Sequence, residues 1–432
     1  MDVSGMSEAA SRSRMRIPRA GTMLDMACRC CGRREVELVI DLGDQPHCNR
    51  LVRPDLPVGV EPHYPLRLGY CHDCTMVQID HTIPKERMFS DYPYVSGTTK
   101  TLPMHFRRTS ERLAGLYGVG ASDLVVDIGS NDGTWLKEWG FSGARVLGVE
   151  AAGNVAQIAQ DAGVPTWNRF FNEDCARDIL AQQGPAKIVT AAGVFFHLEE
   201  LHSVVRGIEA LLANDGVFVV QAIYLGGMVE NMAFDQIYHE HLCYYTLKSL
   251  SALLERHGLE VFDASLVPIH GGSIEAHVAR KGTRPIRNSV RRMQAEEVAK
   301  GFGDIATYRA FAAKVLDLRE RLVGLLSDYR AKGRSVWAYG APAKGATLLN
   351  SLGIGPGLVQ KAVEKNPMKV GLAIPGTRIP IEAEEGQRPD AYLVLAWNFI
   401  EEFLKKEQPW LAAGGEMIVP IPKLRIYGKA DA

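Results

Sequence analysis

Tyr238, His239, Glu240 and His241 stand consecutively, with His197 upstream of them and a loop reading Asp127-Ile128-Gly129-Ser130-Asn131-Asp132-Gly133 upstream of both. Histidine titrates near neutral pH, so imidazoles beside a phenol and a carboxylate can take up and return a proton. The loop follows an apolar run, Leu124-Val125-Val126-Asp127-Ile128, that reads as a buried strand, and it leads into an expected helix over 134–139. Small residues at the carboxyl edge of a parallel strand let the backbone approach a ligand. A second strand expected over 145–149 ends in Glu150, about twenty residues past the turn, where a carboxylate can accept both hydroxyls of a ribose.

Two nucleotide-type ligands compete for such a loop. A dinucleotide site carries glycines that free space for a pyrophosphate, whereas Asn131 and Asp132 fill that space with polar and negative groups. An acid is unfavourable beside a pyrophosphate and favourable beside the sulfonium and amino group of S-adenosylmethionine, SAM. The expected SAM-binding residues are Asp127, Gly129, Asn131, Asp132, Gly133 and Glu150, with Phe171 of the Phe170-Phe171 pair on the adenine side. A proton-moving cluster behind a methyl-donor loop predicts one reaction class, in which a proton is removed and a methyl takes its place.

Several elements must position these groups. Strands over 188–192 and 216–221 and a helix over 201–212 continue the pattern, and His197 follows the first of them after Gly193-Val194-Phe195-Phe196. A helix over 234–241 would put Tyr238 and His241 on one face and Asp235 and His239 on another, with Glu240 alongside to orient an imidazole. A metal held by His239, Glu240 and His241 is disfavoured, because adjacent residues point in different directions. His270-Gly271-Gly272-Ser273 ends a strand in a permissive loop that either touches substrate or turns the chain.

Nearer the start, Cys28-Arg29-Cys30-Cys31 and Cys71-His72-Asp73-Cys74 form two C-x-x-C knuckles. Cys28, Cys31, Cys71 and Cys74 can offer four thiolates at tetrahedral corners, the closed geometry of structural Zn²⁺. Cys30 lies inside the first knuckle and Cys48 stands alone. The segment between the knuckles exceeds the common ribbon spacing, so strands over 36–42 and 64–71 are expected there. Such a zinc folds a small module, contributing about 10–16 kcal/mol in isolated peptides.

The last third opens with a long amphipathic helix, Ile305–Ala331, bearing Leu316, Leu318, Leu322, Leu325 and Leu326 on its apolar surface. A strand over 334–340 then enters Ala341-Pro342-Ala343-Lys344-Gly345 and a further helix, a second strand–loop–helix unit of dinucleotide type. Further strands are expected over 391–397 and 416–420. Lys344 at a helix start can meet a phosphate.

The chain has 432 residues, net charge −1, 46% hydrophobic and 23% charged residues. That length suggests two or three domains, and the charge balance excludes a broad field for nucleic acid or anionic membrane. No apolar run reaches the roughly 18 residues of a bilayer span. Residues 1–25 carry four arginines and no apolar signal region, so a disordered leader and a cytoplasmic protein are expected.

In this order the motifs resemble the SAM-dependent sugar C-methyltransferases of deoxysugar biosynthesis, of the carbon-3 type that makes branched sugars such as tetronitrose and mycarose. The resemblance runs from Cys28 to Pro422. It includes Leu42-Gly43-Asp44-Gln45-Pro46, Met76-Val77-Gln78, Asp91-Tyr92-Pro93-Tyr94-Val95-Ser96, the SAM loop, the segment 234–241, His270-Gly271-Gly272, the segment 339–345 and Ala396-Trp397-Asn398. It implies an α/β chain of three domains: a zinc module over 26–90, a SAM-binding Rossmann-like domain over 91–285, and a C-terminal Rossmann-like domain over 286–432 that helps hold the nucleotide. A nucleotide-diphosphate 4-keto-6-deoxysugar is the implied substrate, and a monomer is expected.

Residue by residue, His241 matches the family's base, which takes the proton from carbon 3. Tyr94, His197, Tyr238 and Glu240 match its other active-site positions. His270, Gly271, Tyr339 and Lys344 are the expected substrate contacts. The chain departs from the family pattern at Gly193, where Asn is usual, at Gln221 and Ala222, where acids are usual, and at Glu275, where Arg is usual. Methylation of another ketone, or of oxygen or nitrogen, is the rival chemistry. A zinc and nucleotide-binding module without activity is the rival of another class.

Overall fold

Apolar residues at every second position, interrupted by turns, make the first sheet. In the computed structural model, which describes residues 15–57, 61–92, 95–98, 101–269 and 271–431, strands Val36–Pro46, His63–Cys71 and Val77–Ile79 pair antiparallel. Val36 stands opposite Cys71, so the pairing closes at the second knuckle, and bulges near Leu38/Ile40 and Asp41/Asp44 bend the long strand. The fourth strand of this sheet is only Cys243–Tyr244, which pairs with Val77–Ile79. It arrives from far along the chain, directly after the histidine cluster.

The expected disordered leader extends too far. Residues 1–14 lie outside the described residues, but Met15 and Leu24 are buried, and Arg16 and Met23 make bridges to Asp41 and Glu37 of the first strand. Main-chain pairing along that strand edge gives the segment an ordered path, and the Met15 and Leu24 side chains enter the core while Ile17 and Met23 stay exposed.

The central sheet has seven strands in the order Leu259–Val267, Ser273–Arg280, Leu212–Ile223, Ala186–Ala192, Leu124–Ile128, Arg145–Glu150, Thr166–Asn168. Five consecutive strands run parallel, and Ser273–Arg280 is antiparallel to both its neighbours. Strand order reverses between Leu124–Ile128 and Ala186–Ala192, and at such a switch point the loops leaving the carboxyl edges part to make a crevice. The expected glycine turn lies on one side of it and His197 on the other.

A third sheet of six strands, Ile381–Ala383, Ala362–Glu364, Val336–Tyr339, Ala391–Val394, Glu416–Val419 and Arg425–Tyr427, is parallel except for the last. Helix Ile305–Ala331 precedes it, started by Asp304, whose carboxylate accepts from the Ala306 N–H. Its buried residues Ile305, Tyr308, Ala312, Val315, Leu318, Leu322, Leu326 and Tyr329 recur at three- and four-residue steps, the stripe an amphipathic helix needs. Contacts tie the first and third sheets together: Gln45 Nε2 donates to Ser351 Oγ at 2.7 Å, Glu61 pairs with Arg378, and Val52 bridges Ala373. Among the described residues no helix is long and apolar enough to cross a membrane.

Candidate active site

The segment 234–241 is not the expected helix. A single 3-10 turn, Phe234–Gln236, ends where Ile237 becomes extended, and a tight turn then closes with the His241 N–H donating to the Tyr238 carbonyl at 2.8 Å. The turn still brings Tyr238 and His241 together, with ring centroids 3.8 Å apart. It separates the other expected pair. Asp235 accepts from Trp397 Nε1 at 2.7 Å, whereas His239 meets the Pro65 carbonyl at 3.1 Å, inside the first sheet. Burial lowers the His239 imidazole to about 4, so it stays neutral at ordinary pH.

His197 enters from the central sheet. The Leu242 N–H donates to the Phe196 carbonyl at 2.8 Å, which fixes the two histidine loops side by side. The rings of His197 and His241 stack at 5.1 Å, and Phe89 stacks on His197 at 5.3 Å. His241 is almost fully buried, and its Nδ1 lies 2.8 Å from the Gln236 carbonyl oxygen. A carbonyl only accepts, so Nδ1 carries the proton of the neutral ring and Nε2 is the basic nitrogen. That tautomer suits proton abstraction.

Glu240 has different neighbours from those expected. Its Oε1 meets His47 Nε2 at 2.8 Å and accepts from Asn49 Nδ2 at 2.6 Å, and its Oε2 accepts from the Tyr92 hydroxyl at 2.8 Å. Burial alone would raise this carboxyl, but the hydrogen bond and charge of His47, the charge of His197 and the Asn49 amide bring it down to about 2. The orienting imidazole contact of Glu240 is therefore with His47. His47 and Asn49 escape a reading of the sequence, their only signal being polar residues just beyond a strand, at His47-Cys48-Asn49. Tyr92 lies within the 91–96 motif, but nothing there points to its contact with Glu240. Tyr94 and His270 lie outside the described residues.

On the other side of the crevice, Gly129 and Gly133 adopt φ of +65° and +73°. A Cβ on Gly129 would lie 2.7 Å from Val194 Cγ2, so this backbone must remain bare. Glu150 accepts from the N–H groups of Asn131 and Ala152, both at 2.8 Å, one on each oxygen, which fixes the carboxylate at the end of strand Arg145–Glu150. Burial raises its pKa. Asp127 is buried and rises to about 7, opposed by the Thr190 hydroxyl donating at 2.6 Å. Asp132 braces the loop: it accepts from the N–H groups of Gly97 and Thr134 and from the Thr134 hydroxyl. Asn131 Oδ1 accepts from the Ser96 N–H at 2.8 Å. Phe171 is buried, and the Phe170 ring carries Lys85 Nζ at 4.8 Å. The bare glycine turn and the Glu150 carboxylate at the end of the second strand fit SAM.

The sulfur atoms of Cys28, Cys31, Cys71 and Cys74 all lie within 4.8 Å of one another. Two of the pairs are at 3.5 Å, close to the roughly 3.8 Å edge of a tetrahedron with 2.3 Å zinc–sulfur bonds. In each knuckle the residue after the second cysteine turns left-handed: Gly32 at φ +74° and Thr75 at φ +60°. Their N–H groups return to the carbonyls of Cys28 and Cys71. Gln78 Nε2 donates to Cys28 Sγ at 3.1 Å, a contact that favours the thiolate. The donor set fits structural zinc, with Cys30 outside it.

Comparison with known proteins agrees with this geometry. Residues 28–89 match a family model for a zinc binding domain, 106–264 one for a methyltransferase domain, and 268–422 one for the C-methyltransferase C-terminal domain. Over 403 residues the chain is 36% identical to C-methyltransferase NovU of Streptomyces niveus, an alignment covering 92% of this chain and 96% of that one. The chain belongs to this C-methyltransferase family. It is a SAM-dependent C-methyltransferase with a zinc-binding N-terminal region. Among solved structures, magnesium protoporphyrin IX methyltransferase of Synechocystis PCC 6803 with bound SAM is 14% identical, with a TM-score of 0.32 over 41% of this chain and 79% of that one. The plantazolicin methyltransferase BpumL with bound SAH is 12% identical, with a TM-score of 0.33 over 42% and 86%.

Two of the methyltransferase's departures from the family pattern meet each other. Gln221 Nε2 donates to Glu275 Oε2 at 2.8 Å, and Glu275 Oε1 accepts from Arg112 at 2.6 Å and meets His277 Nε2 at 3.0 Å. Against burial, His277 and Arg112 hold the Glu275 carboxyl down to about 2. Ala222 packs into the core, and Gly193 turns at φ +69°. On the C-terminal side, Gly271 faces Gln236 and Trp397, and Lys344 sits 4.0 Å over the Trp397 ring while donating to Asn398 at 2.6 Å. The Tyr339 hydroxyl lies 2.9 Å from carboxylate oxygens of both Glu384 and Glu407 and accepts from Lys406 Nζ at 2.7 Å, so it is engaged within the third sheet's own ionic cluster.

Proposed function

We propose that this methyltransferase acts on a nucleotide-linked 4-keto-6-deoxysugar and methylates the carbon next to the ketone, carbon 3, with His241 as the base. The observation that carries the reading is the Nδ1 contact with the Gln236 carbonyl, which leaves Nε2 as the proton acceptor. A ketone at carbon 4 makes the adjacent proton removable, because the electron pair delocalises onto the carbonyl oxygen. His241 Nε2 takes that proton, and an oriented base contributes typically about 10²–10⁴-fold. Tyr238, its ring tilted against His241, and His197 are suited to donate to the developing oxyanion. Glu240 keeps its charge and, through Tyr92, His47 and Asn49, holds the loop that carries Tyr238 and His241. Bound SAM supplies a methyl on a sulfonium, an electrophile open to attack by carbon. The buried walls around the histidines exclude water that would reprotonate the carbanion.

The test is incubation with a keto-sugar nucleotide in heavy water, with and without SAM. The wild type is expected to exchange the proton next to the carbonyl and, with SAM, to form a carbon–methyl bond. His241→Asn is expected to lose both while still binding SAM. Exchange retained in His241→Asn would remove His241 as the base, and methylation of oxygen or nitrogen would remove the substrate reading.

A further inference from the structure

A pocket of about 130 Å³ opens beside the site, within the N-terminal region. Its walls include Pro46, His47, Arg50, Tyr64, Ile83 and Arg87. Two features connect it to the histidines. His47, on its wall, meets Glu240 at 2.8 Å. The short helix Lys85–Phe89 carries Arg87 on the pocket wall and Phe89 against the His197 ring. The pocket and the two histidine loops therefore adjoin, sharing His47 and the helix Lys85–Phe89 as common wall.

The charge of the pocket is unbalanced. Its acid, Glu61, is already neutralised by Arg378 and accepts from the Gly376 N–H at 2.7 Å. Arg50 and Arg87 make no ion pair among the described residues. Guanidinium groups stay charged at all working pH values and present a fork that matches phosphate oxygens. The competing cation, Lys344, is engaged with Asn398 and Trp397, and burial lowers its pKa.

We propose that Arg50 and Arg87 bind the diphosphate of the substrate, so that the N-terminal region, beyond carrying zinc, forms the anion-binding end of the active site. This rests on the nucleotide-linked reading above. The experiment is calorimetric titration of the zinc-loaded, full-length protein with nucleoside diphosphates, inorganic pyrophosphate and, separately, SAM. The wild type is expected to bind the diphosphates, more weakly as salt rises. Each of Arg50→Ala and Arg87→Ala should weaken binding about tenfold and the pair about a hundredfold. SAM affinity and melting temperature should not change, since both side chains are exposed.

Unchanged diphosphate affinity in the double variant would overturn the proposal and leave the substrate reading standing. So would a loss confined to Lys344→Ala, which would move the anion to the C-terminal side. Failure of the wild type to bind any diphosphate while binding SAM would overturn both.

Discussion

His47 Nε2 lies 2.8 Å from Glu240 Oε1, although 193 residues separate them in the chain. One belongs to the loop after the first strand, the other to the turn that carries Tyr238 and His241. Tyr92, Asn49 and, at 4.0 Å, the Cys48 thiol also face this carboxylate, so four side chains from residues 47–92 hold one buried charge. The zinc-binding region is thus part of the wall behind the histidines.

Glu240→Gln should cost about 3 kcal/mol at pH 7, the scale for breaking a buried, hydrogen-bonded charge pair. The folded carboxyl, at about 2, lies below its ordinary 4.5, so its contribution is complete above about pH 4.5 and shrinks as pH falls toward 2. Urea unfolding of wild type and variant between pH 7 and pH 3.5 should show a constant gap that narrows below about pH 4.5. A gap that widens on acidification would contradict the ion-pair description. Glu275, also near 2, predicts the same direction for Glu275→Gln.

Tyr238→Phe should lower kcat by about 10²-fold while leaving SAM affinity intact, if its hydroxyl donates to the oxyanion. Single-turnover kinetics checks this, and a change confined to KM would place the hydroxyl in binding alone.

Gly129→Ala combines a left-handed backbone, costing about 1–2 kcal/mol, with a clash against Val194. The variant should melt lower and bind SAM poorly. Adding Val194→Ala should recover part of the loss, because it removes the clash and not the backbone strain. Calorimetry of SAM binding to both variants separates the two contributions.

Zinc content should be one ion per chain, and Cys71→Ser should lose it. Strand Cys243–Tyr244 pairs with Val77–Ile79, so zinc loss is expected to abolish methyl transfer as well as loosen the N-terminal region. Metal analysis beside limited proteolysis reads both effects. Full activity in a zinc-free protein would refute the coupling.

What the sequence revealed was local. Paired cysteine knuckles, a strand running into a glycine turn, and Ile305–Ala331 with its regular apolar steps each carry their signal within one element. The segment 234–241 misled because Tyr238 and His241 at a three-residue step satisfy a helix and a turn equally. Ile237, extended, decides between them, and its burial among core side chains is a tertiary effect. The contacts of His47, Asn49 and Tyr92 with Glu240 span 148 to 193 residues, and no spacing rule reaches that far. The partnership of Gln221 with Glu275 is likewise visible only once strands Leu212–Ile223 and Ser273–Arg280 lie side by side.

Cys243 and Tyr244, two residues borrowed by the first sheet, make that sheet and the histidine turn a single inheritance. Chimeras that exchange the zinc-binding segment between relatives should fail when the junction is drawn by domain. They should work when residues 234–245 travel with residues 15–90, since each half would otherwise meet a stranger along an open strand edge.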